Sequence, residues 1–281
     1  MTKRTEPNDG GSAFVDLSAG RTHYELVGPE TGRTVVLLHG GTIPMWTWDQ
    51  QIPALADAGF RVLRYDMVGR GRSDAPEPPY DRRLYRVQLL ELLDALSLEP
   101  PIDLVGVSFG GGTSANFAVH HPDRVDRIVL IAPVFDYMDG KTILALLATP
   151  VLGELLMRLV GLKKIETRAC AFLQGLPQAE RYIRLFREQI HGPRFTKAFL
   201  SMLRTDALGD YRDVYKRLGE QGRSMMLLWG TADDEIPAEH IKALREFLPG
   251  IEYHALEGVS HGSVAEAPHT SHTRSTCSAR S

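Results

Sequence analysis

The sequence predicts an α/β protein with a mostly parallel β-sheet, an N-terminal antiparallel hairpin, helices on both faces and an inserted helical cap. Apolar runs of strand length, such as Thr34–Leu38, are typical of strands that are buried on both faces of a sheet. Up to residue 133 these runs alternate with stretches that repeat apolar residues at helical spacing. Residues 134–211 then show only helical patterns, and the alternation resumes after them.

This interruption predicts the domain organisation. A separate helical domain is one interpretation of residues 134–211, but the sheet pattern continues on either side of them. A cap above the carboxyl ends of the strands, where open α/β sheets bind ligands, therefore fits better. We expect an α/β core formed by residues 1–133 and 212–268, a cap at 134–211, and a disordered polar tail at 269–281.

The predicted elements follow one another in order. Two short strands at 13–17 and 22–27, joined by a turn, predict the hairpin. Apolar residues recur at helical spacing from Tyr85 to Leu96, and Asp81 before them is the expected N-cap. The other predicted elements are strands at 34–38, 61–65, 102–107, 127–131, 225–229 and 251–256, and helices around 48–56, after Ser108 and at 238–247.

Composition excludes several classes of function. With 281 residues, 43% of them hydrophobic, and a net charge of −3, the chain offers no general electrostatic case for binding nucleic acid. The two cysteines are far apart and the histidines show no metal-ligand spacing, so we expect no metal and no cofactor. The polar N-terminus lacks the apolar segment of a signal peptide, which makes a cytoplasmic protein the default expectation.

One apolar stretch, residues 143–162, has the length of a membrane span. Pro150 and Gly153 interrupt it, and it contains Glu154 and Arg158. Each charge near the centre costs about 2.5–3.5 kcal/mol on insertion scales. The stretch therefore predicts two amphipathic helices broken at Pro150, and no transmembrane segment.

The most informative stretch for chemistry is Gly106–Gly110, which reads G-V-S-F-G. A predicted strand precedes it and small residues that open a helix follow, so Ser108 stands at the apex of a strand–turn–helix, the context of a nucleophile elbow. The alternative is that this stretch is a glycine-rich turn in which the Ser108 hydroxyl has no catalytic role. The pattern alone is weak, because it occurs again around Ser260, although no helical pattern follows that copy.

A serine nucleophile needs a base, and the base needs an orienting acid. Asp233 follows the predicted strand 225–229, and His261 follows the predicted strand 251–256, so the order Ser…Asp…His fits this elbow. Asp234 and Glu235 compete with Asp233, but the glycine three residues before it and the proline four after it favour Asp233. The alternative is that Asp233 and His261 are ordinary loop residues exposed to solvent.

Together these motifs resemble the α/β-hydrolase fold superfamily, of the kind with a single helical cap. They are His39-Gly40-Gly41, Gly69-Arg70-Gly71-Arg72-Ser73-Asp74, Gly106-x-Ser108-x-Gly110, Gly230-x-x-Asp233-x-x-x-Pro237, and His261 followed by Glu266 and Pro268. The resemblance implies that Ser108 is the nucleophile, His261 the base and Asp233 its partner. It also implies an oxyanion hole formed by the backbone N–H groups of Gly41 and Phe109, with Thr42 as an alternative.

The resemblance also narrows the substrate. Members that open epoxides or displace halide carry aspartate at the elbow, so Ser108 implies attack on a carbonyl. The predicted cap is rich in large apolar residues, which favours a small-molecule ester with an apolar acyl or alcohol group, as in carboxylesterases and monoacylglycerol-lipase-like enzymes. These residues are Leu144, Leu147, Leu155, Leu156, Leu159, Phe172 and Phe199. Ordinary core packing accounts for most of them.

Three alternatives remain open at this level: hydrolysis of a carbon–carbon bond, perhydrolysis, and ligand binding without catalysis. Carbon–carbon hydrolases of this fold usually carry Ser and a further Gly after the His-Gly, where this chain has Gly41-Thr42-Ile43-Pro44. Members of the superfamily also usually continue past the Glu-x-Pro into a terminal amphipathic helix. Here Pro268 leads into a polar sequence, which a truncation or a change of reading frame would explain.

Overall fold

The computed structural model describes residues 6–7 and 12–261. The expected polar tail at 269–281, and the Glu266 and Pro268 of the last motif, lie outside the described residues. The predicted division into core and cap segments stays a prediction, while the elements themselves can be compared with the structure one by one.

Nine strands form one sheet in the described part of the chain, in the order β1-β2-β3-β5-β4-β6-β7-β8-β9. The strands are β1 (Glu6–Pro7), β2 (Ser12–Leu17), β3 (Gly20–Val27), β4 (Thr34–Leu38), β5 (Arg61–Tyr65), β6 (Ile102–Val107), β7 (Val125–Ile131), β8 (Met225–Gly230) and β9 (Glu252–Leu256).

The direction of pairing confirms the predicted fold class. Strands β2 and β3 form an antiparallel hairpin, with Val15 opposite Thr22, and β3 pairs antiparallel with β5. From β5 through β4, β6, β7 and β8 to β9, every neighbouring pair is parallel. The carboxyl ends of these six strands therefore lie at one edge of the sheet, and side chains that follow β4, β6, β8 and β9 can meet there.

Ten α-helices are present in the described residues. They are α1 (Ile52–Asp57), α2 (Arg82–Ala95), α3 (Phe109–His120), α4 (Thr142–Ala148), α5 (Leu152–Leu156), α6 (Leu162–Leu173), α7 (Ala179–Ile190), α8 (Pro193–Arg204), α9 (Arg212–Gly219) and α10 (Ala238–Phe247). The expected N-cap of α2 is present, because the Asp81 carboxylate accepts a hydrogen bond from the Leu84 N–H.

One helix prediction was incomplete, and one helix was missed. The single helix expected around residues 48–56 is in fact a 3₁₀ turn, Met45–Trp48, followed by α1. The reason is Pro53, which lacks an N–H and is tolerated only in the first turn of a helix, so α1 has to begin just before it. Helix α9 was not predicted. It packs against α3 and α10.

Helices α4 to α8 lie between β7 and α9 in the chain, and this helical segment is here called the insertion. Near its two ends, Asp136 and Asp210 form an isolated β-bridge. The predicted break at Pro150 is present, with Thr142–Ala148 and Leu152–Leu173 meeting at 116°. Among the described residues no single helix is long and apolar enough to cross a membrane, although this bent pair passes that test when its two parts are taken together.

The central strands β4, β6 and β8 are buried on both faces, as their continuous apolar sequences predict. Successive residues of β4 point to opposite faces, so Val36 and Leu38 join the larger apolar cluster, while Val35 and Leu37 join the smaller one. The larger cluster extends from the sheet into the insertion. In the described part of the chain α1 covers the smaller one.

Candidate active site

Ser108 occupies the sharp turn between β6 and α3. Its backbone has φ 53° and ψ −117°. For a residue with a side chain, this conformation costs free energy on the order of 1–3 kcal/mol. Four backbone hydrogen bonds hold it there. The Ser108 N–H donates to Ile131 O at 2.9 Å, and its carbonyl accepts from Gly111 N and Val134 N, each at 3.0 Å, and from Gly112 N at 3.3 Å. The strain is thus maintained by the end of β7 and by the first turn of α3.

The glycines on either side of Ser108 are required by close backbone approach. A Cβ at Gly106 would lie 2.3 Å from Gly110 O, and a Cβ at Gly110 would lie 2.2 Å from Leu38 O. Real Cβ atoms essentially never come within 3.0 Å of such atoms. The turn therefore has the geometry that its G-x-S-x-G sequence predicts.

Asp233 and His261 meet at the carboxyl ends of β8 and β9. His261 Nδ1 lies 2.8 Å from Asp233 Oδ2, and the Asp233 side chain is fully buried. The other carboxylate oxygen, Oδ1, accepts hydrogen bonds from the N–H groups of Glu235 and Ile236, both at 2.9 Å. These two donors fix the orientation of the carboxylate, so that Oδ2 is directed at the imidazole.

The loops that carry these two residues are joined by their backbones. Ala232 N donates to Val259 O at 3.0 Å, and Thr231 N donates to Leu256 O at 3.0 Å. A Cβ at Gly230 would lie 2.1 Å from Val259 O. Gly230 is therefore needed so that the loop of Asp233 and the loop of His261 can approach each other.

The second ring nitrogen of His261 faces another carboxylate. Nε2 lies 3.7 Å from Glu235 Oε2, and Glu235 Oε1 lies 3.1 Å from Nε of Arg168 on α6. Burial lowers the pKa of His261, but Glu235 and the hydrogen bond to Asp233 outweigh burial and the nearby Arg168, so the pKa lies above its ordinary value. In residues 12–261, Ser108 makes no hydrogen bond with His261.

The predicted oxyanion loop, residues 39–42, runs beside the elbow. A Cβ at Gly40 would lie 3.7 Å from the Ser108 Cβ, and one at Gly41 would lie 3.7 Å from the Phe109 Cβ. Within the described residues the N–H groups of Gly41 and Phe109 donate to no other group. Two free donors beside a serine could stabilise a developing oxyanion.

His39 is a structural residue of this loop. It is fully buried, accepts a hydrogen bond from Met67 N at Nε2, and donates from Nδ1 to Gly40 O at 2.6 Å. Burial lowers its pKa to about 4, so the ring is neutral. Because N–H and C=O point in opposite directions in a trans peptide, this bond directs the Gly41 N–H away from His39.

Two further side chains, which the sequence did not single out for this role, hold the carbonyl groups of the same loop. Arg70, only 2% exposed, donates from Nε to Gly41 O at 2.5 Å and from Nη1 to Gly69 O at 2.9 Å. Gln189 on α7 donates to Thr42 O at 2.6 Å and accepts from Gly71 N at 2.8 Å. The insertion is therefore linked directly to the oxyanion loop.

The structure thus brings Asp233 and His261 into contact and places Ser108, Gly41 and Phe109 at the same sheet edge. Their catalytic roles remain predictions. Ser260 lies in the loop after β9, one residue before His261, and the chain beyond His261 is outside the described residues. In the part of the chain that the structure describes, no group of three or more His, Cys, Asp or Glu could hold a metal ion.

Comparisons with known proteins agree with this geometry. Residues 33–268 match the model of the alpha/beta hydrolase fold family. A 2-hydroxy-6-oxo-6-phenylhexa-2,4-dienoate hydrolase from Comamonas testosteroni is 31% identical over 258 residues, which cover 85% of each chain.

Solved structures are also similar over nearly the whole chain, among them the following two. A meta-cleavage product hydrolase from Pseudomonas fluorescens is 26% identical, with a TM-score of 0.73 and coverage of 96% of this chain and 97% of that one. A thermophilic esterase from Thermogutta terrifontis, 20% identical with a TM-score of 0.74 and coverage of 100% and 98%, shares the fold. The family match, the sheet order and the elbow lead to one conclusion: this chain belongs to the α/β-hydrolase fold family and is a hydrolase of that fold.

Proposed function

We propose that this chain is a serine-dependent hydrolase that cleaves a carbon–carbon bond next to a ketone, in a substrate of the hydroxy-oxo-dienoate class. The observation that supports serine-dependent hydrolysis is the hydrogen bond between Asp233 Oδ2 and His261 Nδ1, at the same sheet edge as the strained Ser108. The choice of bond is supported by the Comamonas relative, which covers most of the chain and is named for such a substrate. This support outweighs the Gly41-Thr42 sequence, which pointed towards esters.

Each of the proposed residues has its own role in the reaction. Asp233 holds the proton of His261 on Nδ1, which leaves Nε2 free to accept the Ser108 hydroxyl proton as Oγ attacks the ketone carbon. The N–H groups of Gly41 and Phe109 then stabilise the oxyanion, a contribution of about 3–4 kcal/mol per donor. As the oxyanion collapses, the carbon–carbon bond breaks, and the departing carbon takes the proton from His261.

The departing group explains the substrate class. A carbanion is a poor leaving group unless its charge spreads over a conjugated system, which a dienoate supplies and a simple ketone does not. Water, with His261 again as base, then hydrolyses the acyl group from Ser108. The same side chains would serve an ester, because an alkoxide takes the proton in place of carbon.

Ester hydrolysis is therefore the second candidate. It is favoured by the large apolar side chains of the insertion, of which Leu144, Leu147 and Phe199 are buried. No acid or base in the proposed mechanism distinguishes the two reactions. They differ in the group that leaves, so only a comparison of substrates separates them.

The test measures kcat/KM for 2-hydroxy-6-oxo-6-phenylhexa-2,4-dienoate and for a series of p-nitrophenyl esters, with wild type, Ser108→Ala and Ser260→Ala. We expect the dienoate to be preferred by at least tenfold, Ser108→Ala to lose at least about 10³-fold, and Ser260→Ala to keep most of the activity. A preference for esters would select the second candidate. Comparable activity in Ser108→Ala, or no activity and no labelling of Ser108 by a fluorophosphonate, would contradict a serine hydrolase of either kind.

A further inference from the structure

The exposed large apolar side chains of the described residues all lie in one short stretch of the insertion. They are Ile143, Leu146, Val151, Leu152, Leu155, Leu159 and Val160, here called the 143–160 patch. Val151 is 81% exposed and Leu159 is 66% exposed. Together they present on the order of 700 Å² of accessible surface, above the roughly 300–600 Å² of the largest patch on a typical monomer.

The patch is a continuous feature of the fold. It begins on α4, crosses the turn at Val151, and continues along α5 and the π-helical turn Met157–Gly161. Helices α4 and α5 contact each other, so their outer faces adjoin. Helix α4 already buries Leu144 and Leu147 on its inner face, and a helix that is apolar on its outer face as well is unusual against water.

The charges around the patch indicate what it binds. Arg158, Lys163 and Lys164 are exposed and, within the described residues, form no ion pair with a carboxylate. The acid inside the stretch, Glu154, is neutralised by Arg204 at 2.8 Å. The border of the patch is therefore positive, although the chain as a whole has a net charge of −3.

We propose that the 143–160 patch docks the insertion onto an anionic phospholipid surface. Apolar side chains entering the headgroup boundary and basic residues beside them are the combination by which amphipathic helices bind such surfaces. A second copy of this chain fits less well. In a two-fold dimer the same patch would face itself, and this would bring Arg158, Lys163 and Lys164 close to their like-charged counterparts.

The start of the patch lies near the candidate active site. Lys141, one residue before α4, donates from Nζ to the backbone carbonyl of Glu235 at 3.3 Å, and Glu235 faces His261. Docking would therefore hold the insertion next to lipid on the side of the chain that carries the site. The proposal does not depend on which bond the enzyme breaks.

The test is co-sedimentation of the full chain with vesicles of phosphatidylcholine alone and with 30% phosphatidylglycerol. We expect binding to the anionic vesicles, weakened at least tenfold by Leu155→Gln/Leu159→Gln, which removes apolar surface without changing charge. Lys163→Gln/Lys164→Gln should also weaken it at least tenfold. The matched control, Arg217→Gln/Lys242→Gln, removes two exposed basic residues from α9 and α10 and should bind as wild type does.

Circular dichroism melting checks that each variant is folded. Equal loss of binding in the control pair, equal binding to both kinds of vesicle, or no binding by wild type would overturn the proposal. Sedimentation velocity without lipid measures the oligomeric state and tests the remaining alternative. A wild-type dimer that Leu155→Gln/Leu159→Gln converts to monomer, with no vesicle binding, would assign the patch to a second copy of this chain.

Discussion

Asp233→Asn is the substitution for which the structure gives the sharpest expectation. The amide must place one oxygen and one NH₂ group where the two carboxylate oxygens lie. Asp233 Oδ1 accepts two backbone N–H groups, from Glu235 and Ile236. If the NH₂ group took that position, two buried donors would lose their acceptor, at about 1–3 kcal/mol each.

The NH₂ group is therefore expected to face His261. It would donate to Nδ1, which then has to be unprotonated, and the imidazole proton moves to Nε2. A protonated Nε2 cannot accept the Ser108 proton, although the packing and the hydrogen-bond count are almost unchanged. The loss of kcat/KM should be about 10⁴-fold, which corresponds to about 5.4 kcal/mol in the barrier.

The assay compares kcat/KM of wild type, Asp233→Asn and Asp234→Asn, with thermal melting and the ¹⁵N shifts of the His261 ring. Asp234 is the matched control because it is the neighbouring carboxylate, is 72% exposed, and pairs with Arg168. We expect its variant to stay within about threefold of wild type. If Asp233→Asn kept more than a tenth of the wild-type value, or if both variants lost activity equally, the assigned acid would be wrong.

Two further expectations follow from the same geometry. Gly110→Ala should lower the free energy of unfolding by about 3 kcal/mol, and the Tm by about 5 °C, because the new Cβ would lie 2.2 Å from Leu38 O. The control is Gly175→Ala, whose Cβ would lie 3.7 Å from its nearest neighbour and which should melt as wild type does. Glu235→Gln removes the carboxylate that raises the pKa of His261. Since the base acts when neutral, the acidic limb of the kcat/KM profile should move to lower pH, and an unmoved or higher limb would contradict this role for Glu235.

The sequence alone predicted the fold class and most of its elements. Strand-length apolar runs and helical repeats are local patterns, set by the geometry of the backbone itself, so β4, β5, β6 and α10 have the expected bounds within a residue. The elbow was equally local. Gly106 and Gly110 stand two residues from Ser108, where close backbone approach leaves no space for a Cβ.

The acid was harder to choose from sequence. Asp233, Asp234 and Glu235 are consecutive, and their spacing to Gly230 and Pro237 only favoured the first. The tertiary structure separates them: Asp233 is buried against Nδ1 of His261, Asp234 is exposed, and Glu235 lies near Nε2. Burial and direction depend on how two loops meet, and a sequence pattern does not contain that information.

Contacts between distant parts of the chain were decided by the tertiary structure alone. Gln189 binds the carbonyl of Thr42, 147 residues away, and Arg70 binds that of Gly41. Every residue has a backbone carbonyl, so a sequence pattern cannot predict which carbonyl a distant side chain will bind. The sequence by itself determined which elements form and where the serine stands, because those depend on neighbouring residues. Only the folded chain decided what holds the oxyanion loop and what faces His261, because those depend on side chains that packing brings together.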